Sequence, residues 1–237
     1  MLDQSLSPSE IASLTLSGSE LCEKTHRQYL GTGIRTLDLL LSGGIPRGDI
    51  TQITGPSSSG KTSLLLSILA QATAQGEWVA YLDPFSSLDP AFAQKAGIDL
   101  KRLLWVRGPK KMLKAADILV GAGGFGVVVL DLVTQGRTMD LGTFQQTPFP
   151  VWFRLKRAAR QTSTAFLILG TGVNAGSAVS RVLSLRRRKT QWSGTTGKKE
   201  NSNLRHARLL RGTYNELELL RGKDPHAHAT FYCHFQL

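Results

Sequence analysis

The stretch Gly55-Pro56-Ser57-Ser58-Ser59-Gly60-Lys61-Thr62 follows the short β-prone run DITQIT (49–54) and opens KTSLLLSILAQATA (61–74), an apolar-rich segment that reads as a helix. It fits G-x-x-x-x-G-K-[ST] in the setting that gives that pattern meaning, the turn between a strand's end and a helix's start. The chemistry requires these residue types at this spacing. Glycines let the main chain curl until several N–H groups face one point, and the helix N-terminus adds the positive end of its dipole. Lys61 brings an ammonium for terminal phosphates, and Thr62 a hydroxyl for Mg²⁺. At ordinary residue frequencies the bare pattern arises by chance in on the order of one chain in a hundred of this length. The flanking strand and helix turn the match into a phosphate cradle formed by Gly55, Pro56, Ser57, Ser58, Ser59, Gly60, Lys61, Thr62 and Ser63.

Downstream of this loop, short apolar runs alternate with longer amphipathic ones. WVAYLD (78–83), LLWV (103–106), GVVVL (126–130) and AFLIL (165–169) read as strands. Segments 87–95, 109–120 and 150–161 read as the helices between them. Strands separated by helices of this length make a parallel sheet covered on both faces, and the unbroken apolar character of VVVL and FLIL suits its centre. Beyond residue 172 the period changes to two: Val179, Arg181, Leu183 and Leu185 share one phase, and Ser180, Val182, Ser184 and Arg186 the other. Further strands are expected at 204–220 and 229–235, with a polar loop at 191–203. The fold class is therefore α/β, a mostly parallel sheet between helices extended by C-terminal antiparallel strands.

Upstream, Ser7-Pro8-Ser9-Glu10 has the form of a capping box with proline at the first helical position, and 34–41 reads as a short helix closed by Ser42-Gly43-Gly44. Residues 1–30 form a helical extension in this reading. Residues 31–237 form one nucleotide-binding domain, with basic strands at 172–237. A chain of 237 residues suits one core with small additions.

The net charge of +12 is unevenly placed. Residues 1–149 hold 13 basic and 13 acidic residues, while residues 150–237 hold 16 basic and 4 acidic, which accounts for the whole excess. Such a field draws polyanions, nucleic acid first, with an acidic protein partner or an anionic membrane surface as the alternatives that charge alone leaves open. The two cysteines, Cys22 and Cys233, make no disulfide framework. The opening MLDQSLSPSE has neither a basic nor an apolar leader segment, and no apolar run reaches membrane-spanning length. The expectation is a cytoplasmic protein with no membrane contact. His226, His228, Cys233 and His234 have no standard zinc spacing and are read as strand and loop residues.

Asp131 ends the apolar strand GVVVL, where a phosphate-loop protein needs a carboxylate aimed at the metal's water shell. Thr62 and Asp131 are thus the candidate Mg²⁺ residues, and ATP the candidate cofactor.

Residues 31–131, from GTGIRTLDLLLSGGIPRGDITQITGPSSSGKTSL through AYLDPFSSLDPAFAQKAGIDLKRLLWV, resemble the RecA recombinase family well beyond the phosphate loop. The stretch RLLWVRGPKKMLKAADILVGAGGFGVVVLDL, the helix WFRLKRAAR and the strand VSRVLSLRRR look like the ImuA family, RecA-like accessory proteins of bacterial damage-tolerant DNA synthesis. The resemblance implies that Asp89 and Phe92 of LDPAF lie against adenine, as acceptor for its amino group and as stacking face. It also implies translesion polymerase-type partners and self-association or contact with RecA.

Two departures bear on activity. RecA-type ATPases place a glutamate two residues after the aspartate matching Asp83, to activate the attacking water; Phe85 stands there, and a phenyl ring accepts no proton. They also carry a phosphate-sensing glutamine at the end of the strand matching AFLIL, where Gly170 and its neighbours stand. ATP is therefore expected to bind but turn over slowly or not at all, with Asp83 the remaining candidate for the base. Rival readings are a compact RecA-type ATPase that exchanges strands, and an interaction module whose phosphate loop is structural.

Arg154, Arg157 and Arg160, with Lys156 between, fall on one face of the helix that begins with Trp152 and Phe153, and Arg186-Arg187-Arg188-Lys189 continue the positive surface. Their functional reading is sequence-independent contact with the DNA backbone, and the alternatives are a solvated face or an acidic partner's dock.

Overall fold

The computed structural model describes residues 28–108, 111–133, 147–170, 175–192 and 210–234. Residues 1–27 of the expected extension with its capping box, residues 109–110 at the start of an expected helix, the loop at 193–203, and residues 204–209 and 235 of the expected strands lie outside them.

Eight strands form one sheet. In chain order they are β3 (Ile50–Thr54), β4 (Trp78–Asp83), β5 (Leu103–Arg107), β6 (Phe125–Asp131), β7 (Ala165–Leu169), β8 (Val179–Trp192), β9 (Leu210–Arg221) and β10 (His228–His234), in the spatial order β10-β9-β8-β3-β7-β6-β4-β5. From β5 to β8 every neighbour pair is parallel, while β8, β9 and β10 pair antiparallel. A small ribbon of β1 (Tyr29–Leu30) and β2 (Ile45–Pro46) precedes the sheet. The helices are α1 (Arg35–Leu40), α2 (Lys61–Ala74), α3 (Pro90–Lys95), α4 (Met112–Ala122) and α5 (Phe149–Thr162).

The apolar runs are unbroken because the central strands are covered on both sides. In β6, Val127 and Val129 join one core with Leu64, Leu65, Ile68 and Leu69 of α2, while Val128 and Leu130 join the other with Ala116 of α4 and Trp152, Leu155 and Ala159 of α5. On α5, Trp152, Leu155 and Ala159 are buried while Arg154, Arg157 and Arg160 are exposed, so the helix carries its positive charge outward.

Several boundaries differ from expectation for local reasons. The helix expected over 87–95 begins at Pro90, because Asp83 takes the amides of Ser87 and Leu88 while Asp89 caps the turn that starts at Pro90. Strand β8 continues through Gln191 and Trp192, which pair with Gly212 and Leu210 of β9 instead of opening the loop. Arg181, on the inward phase of β8, is 9% exposed and donates to the carbonyls of Leu41 and Gly44 at 2.9 and 2.8 Å. It ties the sheet to the turn after α1.

Candidate functional site

The parallel strands β3, β7, β6 and β4 all end on one side, and a parallel sheet offers its ligand crevice at these carboxyl ends. Between β3 and α2 the loop takes left-handed backbone at Ser58 and Gly60, with φ of 57° and 91°. At Gly55 a Cβ would lie 2.3 Å from the carbonyl oxygen of Leu185 in β8, so only glycine lets the loop leave β3 that close to its neighbour. Gly60 is the N-cap of α2 and no side chain caps it. The first amides of this 14-residue helix are left for an anion. Pro56, Ser57, Ser58 and Thr62 are exposed, so the loop opens to solvent, while Ser59 is buried and Ser63 half-buried.

Lys61 is 7% exposed and folds back, its Nζ donating to the carbonyl oxygens of Gly55 at 2.8 Å and Pro56 at 2.6 Å. Burial lowers its pKa, and the Asp131 carboxylate acts in the opposite direction. An ammonium parked on two loop carbonyls is already in the loop's mouth and can exchange them for phosphate oxygens.

Asp131 ends β6 with 4% exposure. One carboxylate oxygen accepts the Val133 amide at 2.9 Å and the other the hydroxyl of Tyr81 at 2.5 Å. Burial pushes the Asp131 carboxyl up, although Tyr81, the Val133 amide and Lys61 pull it down. Tyr81 is raised well above its ordinary value, by burial first and then by Asp131. Sequence reading missed Tyr81, because within WVAYLD a tyrosine looks like one more core residue. The signal was its spacing: two residues before the end of β4, it reaches across to the end of the adjacent β6.

The donor set suits Mg²⁺, a hard cation that keeps several waters and takes one or two protein oxygens. A buried carboxylate and an exposed first-turn hydroxyl provide those. Among the described residues no group of three ligating side chains offers a closed metal cage.

Asp83 is fully buried and takes four donors: the amide and hydroxyl of Ser87, the amide of Leu88 and the indole N–H of Trp105. This carboxylate holds a turn. Phe85 is 8% exposed and supplies no acceptor. At Gly170 φ is 137°, and a Cβ would meet Leu132 at 3.1 Å, so a longer side chain there needs the chain to shift.

Asp89 caps α3, one oxygen accepting the amides of Ala91 and Phe92 at 2.9 and 3.3 Å. Phe92 is 42% exposed and lines a cavity of about 480 Å³ with Ser63, Leu66, Ala70, Tyr232 and Cys233. The structure thus brings Phe92 beside the start of α2, while Asp89 is not among the lining residues. Beneath the loop lie Asn215 and Cys233, which no motif announced. Asn215 is fully buried, donates to Thr213 and to the Cys233 sulfur, and packs against Gly60.

The basic residues separate into paired and unpaired sets. Arg154 bonds Asp117 at 3.0 Å, Lys156 reaches Asp49 and Ser180, and Arg188 bonds Glu216 at 2.7 Å. Arg157, Arg160, Arg186, Arg187 and Lys189 are exposed with no ion pair among the described residues. No described helix is long and apolar enough to cross a membrane.

The sequence model of the RecA N-terminal domain family matches residues 12–138, just over half of the chain. A protein named RecA from Methylococcus capsulatus is 47% identical over 106 residues, 43% of this chain and 30% of that protein. Proteins of the same name from Rubrobacter xylanophilus and Gluconobacter oxydans are 43% and 42% identical over 107 and 113 residues, covering 44% and 46% of this chain and 31% and 33% of theirs. The match spans about a third of these relatives' own length.

Proposed function

The chain belongs to the RecA family, and on that premise we propose that it is an ATP-binding accessory protein of damage-tolerant DNA synthesis, of the ImuA kind, with little or no ATP hydrolysis. Its nucleotide domain is residues 31–237, with 1–30 as an extension. The observation that carries the reading is the pairing of the phosphate cradle with the lack of a free base at the end of β4 among the described residues: Lys61 sits in the loop, while Phe85 and the hydrogen-bonded Asp83 stand where a proton acceptor belongs.

In this reading the loop amides and the amides at the start of α2 hold the phosphates, and Lys61 moves from the Gly55 and Pro56 carbonyls to the terminal ones. Thr62 and Asp131 hold Mg²⁺ directly or through its waters, and Tyr81 fixes the Asp131 carboxylate by hydrogen bond. Mg²⁺, when bound, neutralises phosphate charge. Phe92 stacks on the base, and Asp89 turns its remaining oxygen to the amino group. The unpaired arginines of α5 and β8 meet DNA phosphates, and translesion polymerase-type proteins are the partners. The C-terminal charge excess supports a polyanion-facing protein, and the two widely spaced cysteines a cytoplasmic one.

A steady-state ATPase assay with single-stranded DNA present tests the reading. Turnover far below that of active recombinases is expected. Turnover at their level would overturn it in favour of a compact recombinase, a rival supported by 42–47% identity to proteins named RecA.

A further inference from the structure

The antiparallel edge of the sheet has one buried and one open face. Thr213, Asn215, Leu217, Phe231 and Cys233 are buried on the side of α2. On the opposite side, cross-strand rungs run Ser184, Glu218, His228, then Arg186, Glu216, Thr230, then Lys189, Tyr214, Tyr232. Every one of these side chains is exposed or half-exposed among the described residues.

The third rung is the distinctive one. Tyr214 and Tyr232 are 40% and 37% exposed, with ring centroids 4.7 Å apart at 46°. A Cβ at Gly212 would lie 2.4 Å from the Tyr232 hydroxyl and 2.5 Å from its Cζ. Glycine at that place therefore lets the ring lie down along the sheet and present a face. The acids of this surface are occupied, Glu216 by Arg188 at 2.7 Å and Glu218 by the His226 ring at 3.2 Å. Arg186 and Lys189, both on β8 to one side of the tyrosines, have no carboxylate within ion-pair distance among the described residues.

Two aromatic faces beside unpaired cations, in the C-terminal part of the chain that holds 16 basic and 4 acidic residues, suit a ligand with π-faces and a negative backbone. We propose that this open sheet face binds single-stranded nucleic acid, with bases stacking on Tyr214 and Tyr232 and phosphates meeting Arg186 and Lys189. It deepens the DNA contact of the proposed function and rests on that part alone. A duplex keeps its base faces inside the stack, so an aromatic platform selects unpaired bases.

Fluorescence anisotropy of the full chain with labelled oligo-dT tests the site. Tyr214→Ala and Tyr232→Ala are each expected to weaken binding on the order of tenfold, from stacking lost per base. Tyr214→Phe and Tyr232→Phe keep wild-type affinity, duplex of equal length is bound more weakly by wild type, and MgATP affinity is unchanged in the Tyr214, Arg186 and Lys189 variants, which lie away from the Phe92 cavity. If the alanine variants do not fold, Arg186→Glu with Lys189→Glu carries the test, with at least a tenfold loss expected. Wild-type affinity in the alanine or charge-reversed variants overturns the proposal, as does absence of oligo-dT binding by the wild type. Displacement of oligo-dT by poly-glutamate at equal charge overturns it in favour of an acidic protein partner. Binding lost in Arg157→Ala/Arg160→Ala but untouched by the sheet variants keeps the DNA contact and removes this site. Failure of wild type to bind MgATP would sink the nucleotide reading and leave this one standing.

Discussion

The two parts of this sheet are equipped for negative charge by opposite means. At the carboxyl ends of the parallel strands, the candidate site is made of main-chain amides in a fixed curve, one lysine and one buried aspartate, within a half of the chain that carries no net charge. On the antiparallel edge, the candidate surface is made of side chains on an open face, in the C-terminal part, 150–237, that carries all of the excess. A compact anion can be bound by backbone curvature, because several amides converge on one point. An extended polyanion cannot, and must be met by many separate cations whose effect adds up along its length.

If that division holds, the largest effect available to a single substitution falls on one side only. Lys61→Ala removes a charged donor that is 7% exposed, and MgATP affinity measured by calorimetry is expected to fall about a hundredfold, since charge-assisted hydrogen bonds contribute roughly 1.5–3 kcal/mol each. Affinity for oligo-dT should stay as in wild type. A parallel loss of DNA binding would break the division, and equal ATP binding by both proteins would assign the loop a purely structural role.

The same division explains what the sequence disclosed. The phosphate loop is local: eight consecutive residues, with glycines where backbone demands them, state their geometry without any tertiary information. The core strands were equally legible, because a strand buried on both faces leaves an unbroken apolar run such as VVVL, and AFLIL and WVAYLD fall within the observed bounds of β7 and β4. Contacts between distant segments left no such trace. Tyr81 meets Asp131 across 50 residues, and Asn215 packs under Gly60 across a gap three times as long. Nothing in the period of either strand distinguishes these polar groups from neighbours, since pairing across a sheet depends on strand order. The start of α3 departs from its expected place for a related reason, the Asp83 carboxylate holding two amides that helix periodicity would claim.

Asn215 is also where the two halves touch, which makes Gly60 the place to challenge their independence. An alanine Cβ at Gly60 would meet the Asn215 amide at 2.9 Å with φ held at 91°. Asn215 has little room to give, being fully buried and bonded to Thr213 and Cys233. Gly60→Ala is expected to cost about 1–3 kcal/mol of stability in urea unfolding, from left-handed backbone strain plus displacement of β9. Unlike Lys61→Ala, it should weaken both MgATP and oligo-dT binding. A variant that loses ATP affinity but keeps DNA affinity and stability would show that the loop and β9 are mechanically separate.

The finest distinction between the halves lies in the sign of their acid titration. The Asp131 carboxyl is raised from its ordinary 3.8, chiefly by burial, so its contribution to stability is full below 3.8 and is lost as pH rises through its folded value. The Glu216 carboxyl is lowered from 4.5 by its hydrogen bond to Arg188, so its contribution is present above 4.5 and is lost as pH falls through its folded value. Urea midpoints of wild type, Asp131→Asn and Glu216→Gln across the acid and neutral range separate the two. Relative to wild type, Asp131→Asn should gain stability as pH rises, and Glu216→Gln should lose its disadvantage as pH falls. Because Arg188 is exposed and Glu216 sits half-buried on an open sheet face, the second difference is slight and weakens in high salt, whereas the first persists behind its screen of buried side chains. Slopes of the same sign in both variants would mean that Asp131 is solvated like a surface carboxylate, and the parallel half would lose its claim to a buried metal-facing acid.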